Sequence, residues 1–276
     1  MTERHYASGL REKVMRGLQL GPRYYLRLPR YAWQRRARQL PALDWGALWN
    51  PLRSFQQRSY VSWPAPPHFD EAMALLTAAG VVLDNPPWRI EALSALWWHA
   101  RDARGDVIEA GAYRGATSLL LAVLGLLHGV SQRVLVLDTF EGMPSPSALD
   151  HERKQGEFAP PGGWDDVIRS QAAALGVADR VEVHKGLFAD SAPAIHARGL
   201  TFAFAHVDAN IYQGTLDACE LVMPHMAAGG AVVFDDYNGL MDLGARLAID
   251  EYLDRPGAHR GRRPLPLAEC SAFLRT

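Results

Sequence analysis

Residues 106–138 read DVIEAGAYRGATSLLLAVLGLLHGVSQRVLVLD, and this stretch decides the fold. A short apolar run at 106–110 is followed by Gly111, then by a long apolar run at 117–128 and a second short run at 133–137. Short apolar runs bounded by turn residues predict buried strands, and the longer run predicts a helix. This order predicts a β-α-β unit, in which the two strands are parallel.

The same alternation continues towards the C-terminus and is preceded by two helices. Further strands are predicted at 181–184, 202–207 and 231–234, with a terminal hairpin at 264–268 and 271–275. Helices are predicted at 69–79, 90–103, 165–175, 191–197, 214–225 and 240–253. Strands separated by helices of this length imply a parallel sheet covered on both faces. We therefore expect an α/β fold with a doubly wound, mostly parallel seven-stranded sheet.

The N-terminal quarter of the chain has a different composition. Seven prolines interrupt every helical pattern in residues 1–68. Residues 1–40 hold ten Lys and Arg against two Glu, although the whole chain has 29 Lys and Arg against 30 Asp and Glu. We expect a basic, proline-rich, helical or irregular extension at 1–68, followed by one domain at 69–276.

The overall composition is that of a soluble globular protein. The 276 residues are 48% hydrophobic and 21% charged, which excludes disordered, collagen-like and coiled-coil chains. Two cysteines are too few for a disulfide framework and favour a reducing compartment. No secretion signal is visible, and no apolar run approaches the roughly 20 residues of a spanning helix. We expect a cytoplasmic protein without a membrane span.

Acidic residues stand where the predicted parallel strands end. They are Glu109, Asp138, Asp208, Asp235 and Asp236. Ligands of open α/β sheets bind at this edge, and an acid placed there costs desolvation unless it meets a cation or a hydroxyl. Ordinary helix caps and solvated loops are the alternative interpretation.

The first strand and the second end in a pattern that indicates a nucleoside-containing cofactor. Gly111 allows a tight turn, and Asp138 follows it by 27 residues, where an acid can accept hydrogen bonds from ribose hydroxyls. The glycines at 111 and 115 do not form the G-x-G-x-x-G pattern of dinucleotide sites. Together with Glu109 in the turn, this spacing favours S-adenosylmethionine over NAD.

Asp208, Asp235 and Asp236 form a second cluster if their two strands are neighbours. Adjacent strands lie about 4.8 Å apart, so the three carboxylates would repel one another unless a cation neutralised them. Carboxylate oxygens select a hard ion such as Mg²⁺, which helps a substrate hydroxyl to lose its proton. His206 points to the same face as Asp208, either as an auxiliary base or as a hydrogen-bonded core histidine.

Four segments carry a family resemblance. VIEAG at 107–111, LDTFEGMP at 137–144, HVDANIYQGT at 206–215 and FDDY at 234–237 resemble the macrocin O-methyltransferase (TylF-type) family. Members are metal-dependent class I S-adenosylmethionine methyltransferases that modify sugar or aromatic hydroxyls of natural products. The resemblance implies a small-molecule hydroxyl acceptor and a homo-oligomer, with an N-terminal segment that covers the site or joins subunits.

The resemblance also implies roles for individual residues. Asp208 would be the catalytic base, and Asp208, Asp235 and Asp236 would bind Mg²⁺. Cofactor contacts would come from Glu109, Gly111, Tyr113, Thr117, Ser118, Asp138, Gly142, Gly186, Phe188 and Asp208. Acceptor contacts would come from Met143, Trp164, Tyr212 and Tyr237. Asn210 stands where the family usually has an acid, so a metal-independent or inactive relative is the alternative.

Two further patterns suggest other functions. VVLDNPPW at 81–88 resembles the motif of adenine amino-methyltransferases, but it precedes the first strand, so we interpret it as a Pro-Pro turn that begins a helix. The basic residues at 1–40 suggest an anionic partner. Basic N-terminal segments are more often solvated or packed against an acidic body, and the rest of this chain is acidic, so no nucleic acid is expected. The Pro- and Gly-rich loop at 139–163 is a candidate lid.

Overall fold

The computed structural model describes residues 64–150, 153–239, 242–257, 259–268 and 271–276. The predicted extension lies outside these ranges except for 64–68, so the division of the chain at residue 68 stays a prediction. Among the described helices, none combines the length and apolar character needed to cross a membrane.

The described chain alternates helices and strands from residue 69 to residue 275. The helices are α1 (Phe69–Ala78), α2 (Pro87–Ala100), α3 (Ala116–Leu127), α4 (Trp164–Ala174), α5 (Phe188–Ala197), α6 (Tyr212–Val222) and α7 (Leu243–Asp254). The strands are β1 (Asp106–Ala110), β2 (Val134–Asp138), β3 (Val181–Lys185), β4 (Phe202–Val207), β5 (Met226–Phe234), β6 (Leu265–Ala268) and β7 (Ser271–Arg275). This succession confirms the predicted α/β class.

One seven-stranded sheet joins all of these strands in the order β3-β2-β1-β4-β5-β7-β6. Strands β1 to β5 pair in parallel, whereas β7 pairs antiparallel with both β5 and β6. The chain runs outward from β1 to β3 and then returns to place β4 on the other side of β1. The sheet order therefore reverses between β1 and β4, where an open α/β sheet leaves a crevice for a ligand.

Strand alternation divides the core into two layers. Val107, Val136 and Phe204 pack on the layer that contains helices α1 to α4. Ile108 and Leu135, one residue away on the same strands, pack on the layer that contains α5, α6 and α7. Each central strand is thus apolar on both faces, as expected for a parallel sheet covered on two sides.

Several element boundaries differ from the sequence prediction by one to five residues, and two of these differences have a clear local cause. Helix α2 begins at Pro87 rather than Ile90, because a proline in the first turn of a helix lacks only an N–H that has no helical partner there. The structure confirms that Pro86 and Pro87 form the turn into this helix. Strand β5 begins at Met226 rather than Ala231, since Gly229 and Gly230 continue the strand without apolar side chains.

Two buried acids, Asp150 and Asp242, form the hydrogen bonds that connect the described part of the 139–163 loop to the rest of the domain. Asp150 Oδ1 accepts the N–H of Tyr212 at the start of α6 at 2.7 Å, and a Cβ on Gly244 would lie 1.9 Å from this oxygen. Arg153 Nε donates to Asp242 at 2.8 Å. These contacts join the loop to α6 and α7, and its role as a lid stays a prediction.

Candidate active site

A cavity of about 480 Å³ opens at the carboxyl ends of the parallel strands, beside the reversal of sheet order. This volume suits a ligand of cofactor size. Most of the site residues expected from the sequence line it. They are Glu109, Gly111, Tyr113, Thr117, Asp138, Gly142, Met143, Gly186, Phe188, Asp208, Asp235 and Asp236.

The turn after β1 brings the ends of β1 and β4 into direct contact. Gly111 has a φ of 94°, and a Cβ built on it would lie 1.8 Å from the carbonyl oxygen of Asp208. The N–H of Gly111 donates to Leu137 at 2.8 Å, and the N–H of Asp208 donates to Ala110 at 2.9 Å. A glycine is therefore required here for packing, and the turn fixes the backbone that carries Asp208.

The Asp138 carboxylate accepts hydrogen bonds from the turns that follow β1 and β2. Its Oδ2 accepts the N–H of Tyr113 at 2.8 Å, and its Oδ1 accepts the N–H of Phe140 at 2.7 Å. Burial raises the pKa of Asp138, although the two backbone hydrogen bonds act in the opposite direction. Each carboxylate oxygen accepts more than one hydrogen bond, so this cavity-lining group retains capacity for a ligand hydroxyl.

Asp208 and Asp236 have different surroundings in the cavity. The half-buried Asp208 carboxylate accepts no hydrogen bond from the described residues. Desolvation and the charge of Asp235 raise the pKa of Asp208 to about 7. Asp236 accepts the backbone N–H of Asn210 at 2.9 Å and its side-chain NH₂ at 3.1 Å. Asn210 has a φ of 57°, a conformation that Asn tolerates well, so this residue orients Asp236.

His206 lies between two buried carboxylates. Its Nδ1 is 2.8 Å from Glu109 Oε1, and its Nε2 is 3.6 Å from Asp235 Oδ1. Burial alone would lower the pKa of His206, but Asp235 and Glu109 together raise it to about 10. The second oxygen of Glu109 accepts the hydroxyl of Ser118. His206 is therefore a buried, hydrogen-bonded core histidine that carries a positive charge, which corresponds to the second of the two alternatives left open by the sequence.

The acidic cluster fits a hard divalent cation. Ligand atoms of His206, Asp208 and Asp235 lie within 4.8 Å of one another, whereas the sequence predicted Asp236 in place of the histidine. Nδ1 of His206 faces Glu109, which leaves Nε2 on the side of Asp235. Of the predicted oxygen donors, Asp208 and Asp235 belong to this group, whereas Asp236 lines the same cavity but is not part of the group.

Residues 91–261 match the model of the macrocin-O-methyltransferase (TylF) family. That match spans more than half of the chain and includes the strand ends that line the cavity. The chain belongs to this family.

Two named O-methyltransferases are similar in sequence to this chain. One is the 8-demethyl-8-(2,3-dimethoxy-alpha-L-rhamnosyl)-tetracenomycin-C 4'-O-methyltransferase of Streptomyces olivaceus, 31% identical over 65% of this chain and 65% of that protein. Another is the mycinamicin III 3''-O-methyltransferase of Micromonospora griseorubida, 28% identical over 55% of this chain and 62% of that protein. The chain thus matches somewhat less than two thirds of the length of each relative.

Solved structures share the fold. The calicheamicin methyltransferase CalS11 matches with a TM-score of 0.59 at 22% identity, over 79% of this chain and 95% of that one. The O-methyltransferase NovP matches with a TM-score of 0.60 at 21% identity, over 75% of this chain and 97% of that one. These matches confirm the mostly parallel α/β architecture.

Four of the predicted site residues do not line the cavity: Ser118, Trp164, Tyr212 and Tyr237. The indole N–H of Trp164 donates to the carbonyl of Arg114 at 3.1 Å. The hydroxyls of Tyr212 and Tyr237 donate to carboxylates on α7 at 2.8 and 2.7 Å. Of the four predicted acceptor residues only Met143 lines the cavity, because the three aromatic side chains are turned into contacts between helices and loops.

Sequence reasoning missed a set of cavity residues that lie before β1, in the 139–163 loop and after β5. They are Leu83, Asp84, Asn85, Arg89, Arg153 and Asp242. The DNPPW segment at 84–88 could have indicated some of these residues, since a turn that contains polar residues and leads into α2 can face the strand ends. Arg89 matters most, because its Nη1 lies 2.8 Å from Asp235 Oδ2.

The buried His206 predicts a specific loss of stability at high pH. The pKa of His206 lies near 10 in the folded protein and near 6.5 when unfolded. Its stabilisation is therefore complete below pH 6.5 and is lost as the pH rises through 10. In EDTA, we expect the difference in free energy of unfolding between the wild type and His206→Gln to shrink by on the order of 3 kcal/mol from pH 6 to pH 10. Urea denaturation at both pH values measures it, and a difference independent of pH would contradict this assignment.

Proposed function

We propose that this protein is an S-adenosylmethionine-dependent O-methyltransferase that acts, with Mg²⁺, on a hydroxyl of a small molecule, and that the hydroxyl belongs to a sugar of a natural product. Membership of the family supports the reaction. The names of two relatives, a rhamnosyl-tetracenomycin 4'-O-methyltransferase and a mycinamicin III 3''-O-methyltransferase, support the acceptor class. A cytoplasmic location and a homo-oligomer belong to the same proposal.

The observation that carries the proposal is the Asp208 carboxylate. It lies at the end of β4 and faces the cavity without a hydrogen bond from the described part of the chain. Without a bound cation, desolvation and the charge of Asp235 raise its pKa to about 7, so the carboxylate is a base that can take a proton near neutral pH. A carboxylate kept apart from protein donors in this way is available to a substrate hydroxyl.

The methyl donor has a matching set of contacts in the same cavity. Asp138 would accept the ribose hydroxyls, and Gly186 to Phe188 would lie against the adenine. Glu109, Gly111, Tyr113, Thr117 and Gly142 would border the remainder of the donor, and Met143 would contact the acceptor. In this arrangement the reacting methyl group is placed near Asp208, and positioning supplies much of the rate acceleration.

The reaction needs one proton transfer to the protein. The acceptor hydroxyl gives its proton to Asp208 as its oxygen forms a bond to the methyl carbon and the carbon–sulfur bond breaks. Mg²⁺, held by Asp208, Asp235 and Asp236, would lower the pKa of the hydroxyl and stabilise the charge developing on its oxygen. Asn210 holds Asp236 in place through two donors, so the exchange of the family's acid for Asn preserves the orientation of this ligand.

A metal-independent methyltransferase is the second candidate, and one contact favours it. The Arg89 guanidinium already pairs with Asp235 in a buried ion pair. Together with the protonated His206, it supplies positive charge to the acidic cluster without a metal. Loss of turnover in EDTA, restored by MgCl₂, would support the metal-dependent reaction, whereas full turnover in EDTA would support the metal-independent one.

Binding of the cofactor is the first test of the proposal. Calorimetry should detect binding of S-adenosylmethionine to the full-length protein, in MgCl₂ or in EDTA. Asp138→Asn should weaken this binding by about tenfold or more, since hydrogen bonds to charged groups contribute about 1.5–3 kcal/mol. Asp179→Asn changes an exposed acid outside the cavity and should leave affinity unchanged. Absence of binding by the folded wild type under both conditions would contradict the proposed function.

A further inference from the structure

Arg89 is placed at the acidic cluster by the first turns of α2. Its Nη1 donates to Asp235 Oδ2 at 2.8 Å and to Asn85 Oδ1 at 2.9 Å. The Arg89 side chain is 13% exposed and that of Asp235 is 4% exposed. This is a buried, charge-assisted hydrogen bond between residues 146 positions apart, and both partners line the cavity.

Asp235 is the member of the cluster that the protein neutralises most completely. Its Oδ1 accepts the hydroxyl of Ser271 at 2.7 Å and lies 3.6 Å from His206 Nε2, while Oδ2 is held by Arg89. Asp236, in contrast, accepts hydrogen bonds from the neutral Asn210. The cations Arg89 and His206 thus both face Asp235, and the nearer of the two is Arg89.

We propose that Arg89 is an internal competitor of the divalent cation: its charge neutralises Asp235, a carboxylate that would bind the metal, and thereby lowers the affinity of the site. This inference rests on the proposed Mg²⁺ site. A guanidinium and a divalent ion on one carboxylate repel each other, and the repulsion is strong where burial limits screening by water. Arg89 therefore opposes coordination by Asp235: either its charge stays close to the metal, or Arg89 withdraws and the ion pair is lost, and both reduce the free energy of metal binding.

The competition has a consequence for the cavity wall. Arg89 shares its Nη1 with Asn85, and Asn85 lies in the 83–85 segment that lines the cavity. If Arg89 withdraws from Asp235, the ion pair between the first turns of α2 and the end of β5 is lost. Metal binding and the position of the 83–89 segment are thus coupled. Because such coupling acts in both directions, a substitution that weakens the Arg89–Asp235 ion pair should strengthen metal binding.

Direct metal binding tests the inference without relying on turnover. Mn²⁺ substitutes for Mg²⁺ as a paramagnetic probe, and its free concentration is measured by electron paramagnetic resonance in titrations of the full-length protein. Arg89→Gln retains an amide donor but removes the charge, and we expect it to bind Mn²⁺ about tenfold or more tightly than the wild type. Arg89→Lys keeps the charge and should stay within about threefold of the wild type.

Thermal melting gives a second readout that also controls for folding. Arg89→Gln should melt below the wild type in EDTA, because Asp235 loses its buried partner, and saturating Mn²⁺ should raise its melting temperature more than that of the wild type. Arg133→Gln, which breaks an ion pair with Asp106 outside the cavity, should leave Mn²⁺ affinity unchanged.

The outcomes separate this inference from the proposed metal site. Equal or weaker Mn²⁺ binding by folded Arg89→Gln, with clear binding by the wild type, would overturn the competition and leave the metal site intact. If Arg89→Lys also bound Mn²⁺ more than threefold more tightly than the wild type, the charge of Arg89 would not be the cause of the competition. Absence of Mn²⁺ binding by all three proteins would overturn both the competition and the proposed Mg²⁺ site.

Discussion

Replacing Asp208 with Asn should reduce kcat by at least about a thousandfold, the largest effect on turnover that we expect from any single side chain. General-base catalysis contributes about 10²–10⁴-fold, and Asn can neither take the proton nor carry the charge that would hold a cation. Asn has nearly the same shape as Asp. Because the carboxylate accepts no hydrogen bond from the described residues, the substitution breaks no hydrogen bond among them and should leave the fold intact.

The measurement is steady-state methyl transfer to an accepted substrate, with S-adenosylmethionine affinity measured in parallel by calorimetry. We expect affinity to stay within a few-fold of the wild type, since Asp208 acts on the acceptor hydroxyl. Asp179→Asn, an equivalent change at an exposed acid outside the cavity, should keep full turnover. Retained turnover in Asp208→Asn would remove Asp208 from the proposed mechanism. Normal turnover with lost cofactor affinity would reassign it to cofactor binding.

The edge of the sheet that holds the site could be predicted from the sequence. The short continuous apolar runs at 106–110 and 133–137 predict strands buried on both faces, and acids that follow such parallel strands must gather at one edge. Glu109 already breaks the apolar pattern within its strand, and the structure shows why. It faces His206 and Ser118 inside the core at the inner end of the cavity.

The contacts that the sequence could not reveal involve side-chain direction or distant partners. Arg89 and Asp235 are 146 positions apart in the chain, and no local sequence pattern predicts a contact between them. The aromatic residues chosen as acceptor contacts follow the same strand ends as the acids. A helix start turns successive side chains in different directions, so Tyr212 meets Glu251 on α7 instead of the cavity. A residue that lies close in sequence to a site residue therefore need not contact the site itself.

The substitution Gly111→Ala should produce the largest loss of stability among the glycines of the first turn. Two costs add at this position. Ala disfavours a φ of 94° by about 1–2 kcal/mol, and its Cβ would lie 1.8 Å from the Asp208 carbonyl oxygen, where overpacking costs about 1–3 kcal/mol more. We expect a loss of about 3 kcal/mol or more in the free energy of unfolding, measured by urea denaturation.

Gly129→Ala is the matched control for the backbone cost alone. Gly129 has a φ of 66°, but a Cβ built there meets nothing within 4 Å, so only the conformational cost of about 1 kcal/mol applies. The difference between the two variants therefore isolates the clash with β4. Because the clash pushes on the backbone that carries Asp208, Gly111→Ala should also lose turnover in the fraction that remains folded, whereas Gly129→Ala should keep it. Equal destabilisation by the two substitutions would show that β1 and β4 do not meet as closely at this turn as the structure places them.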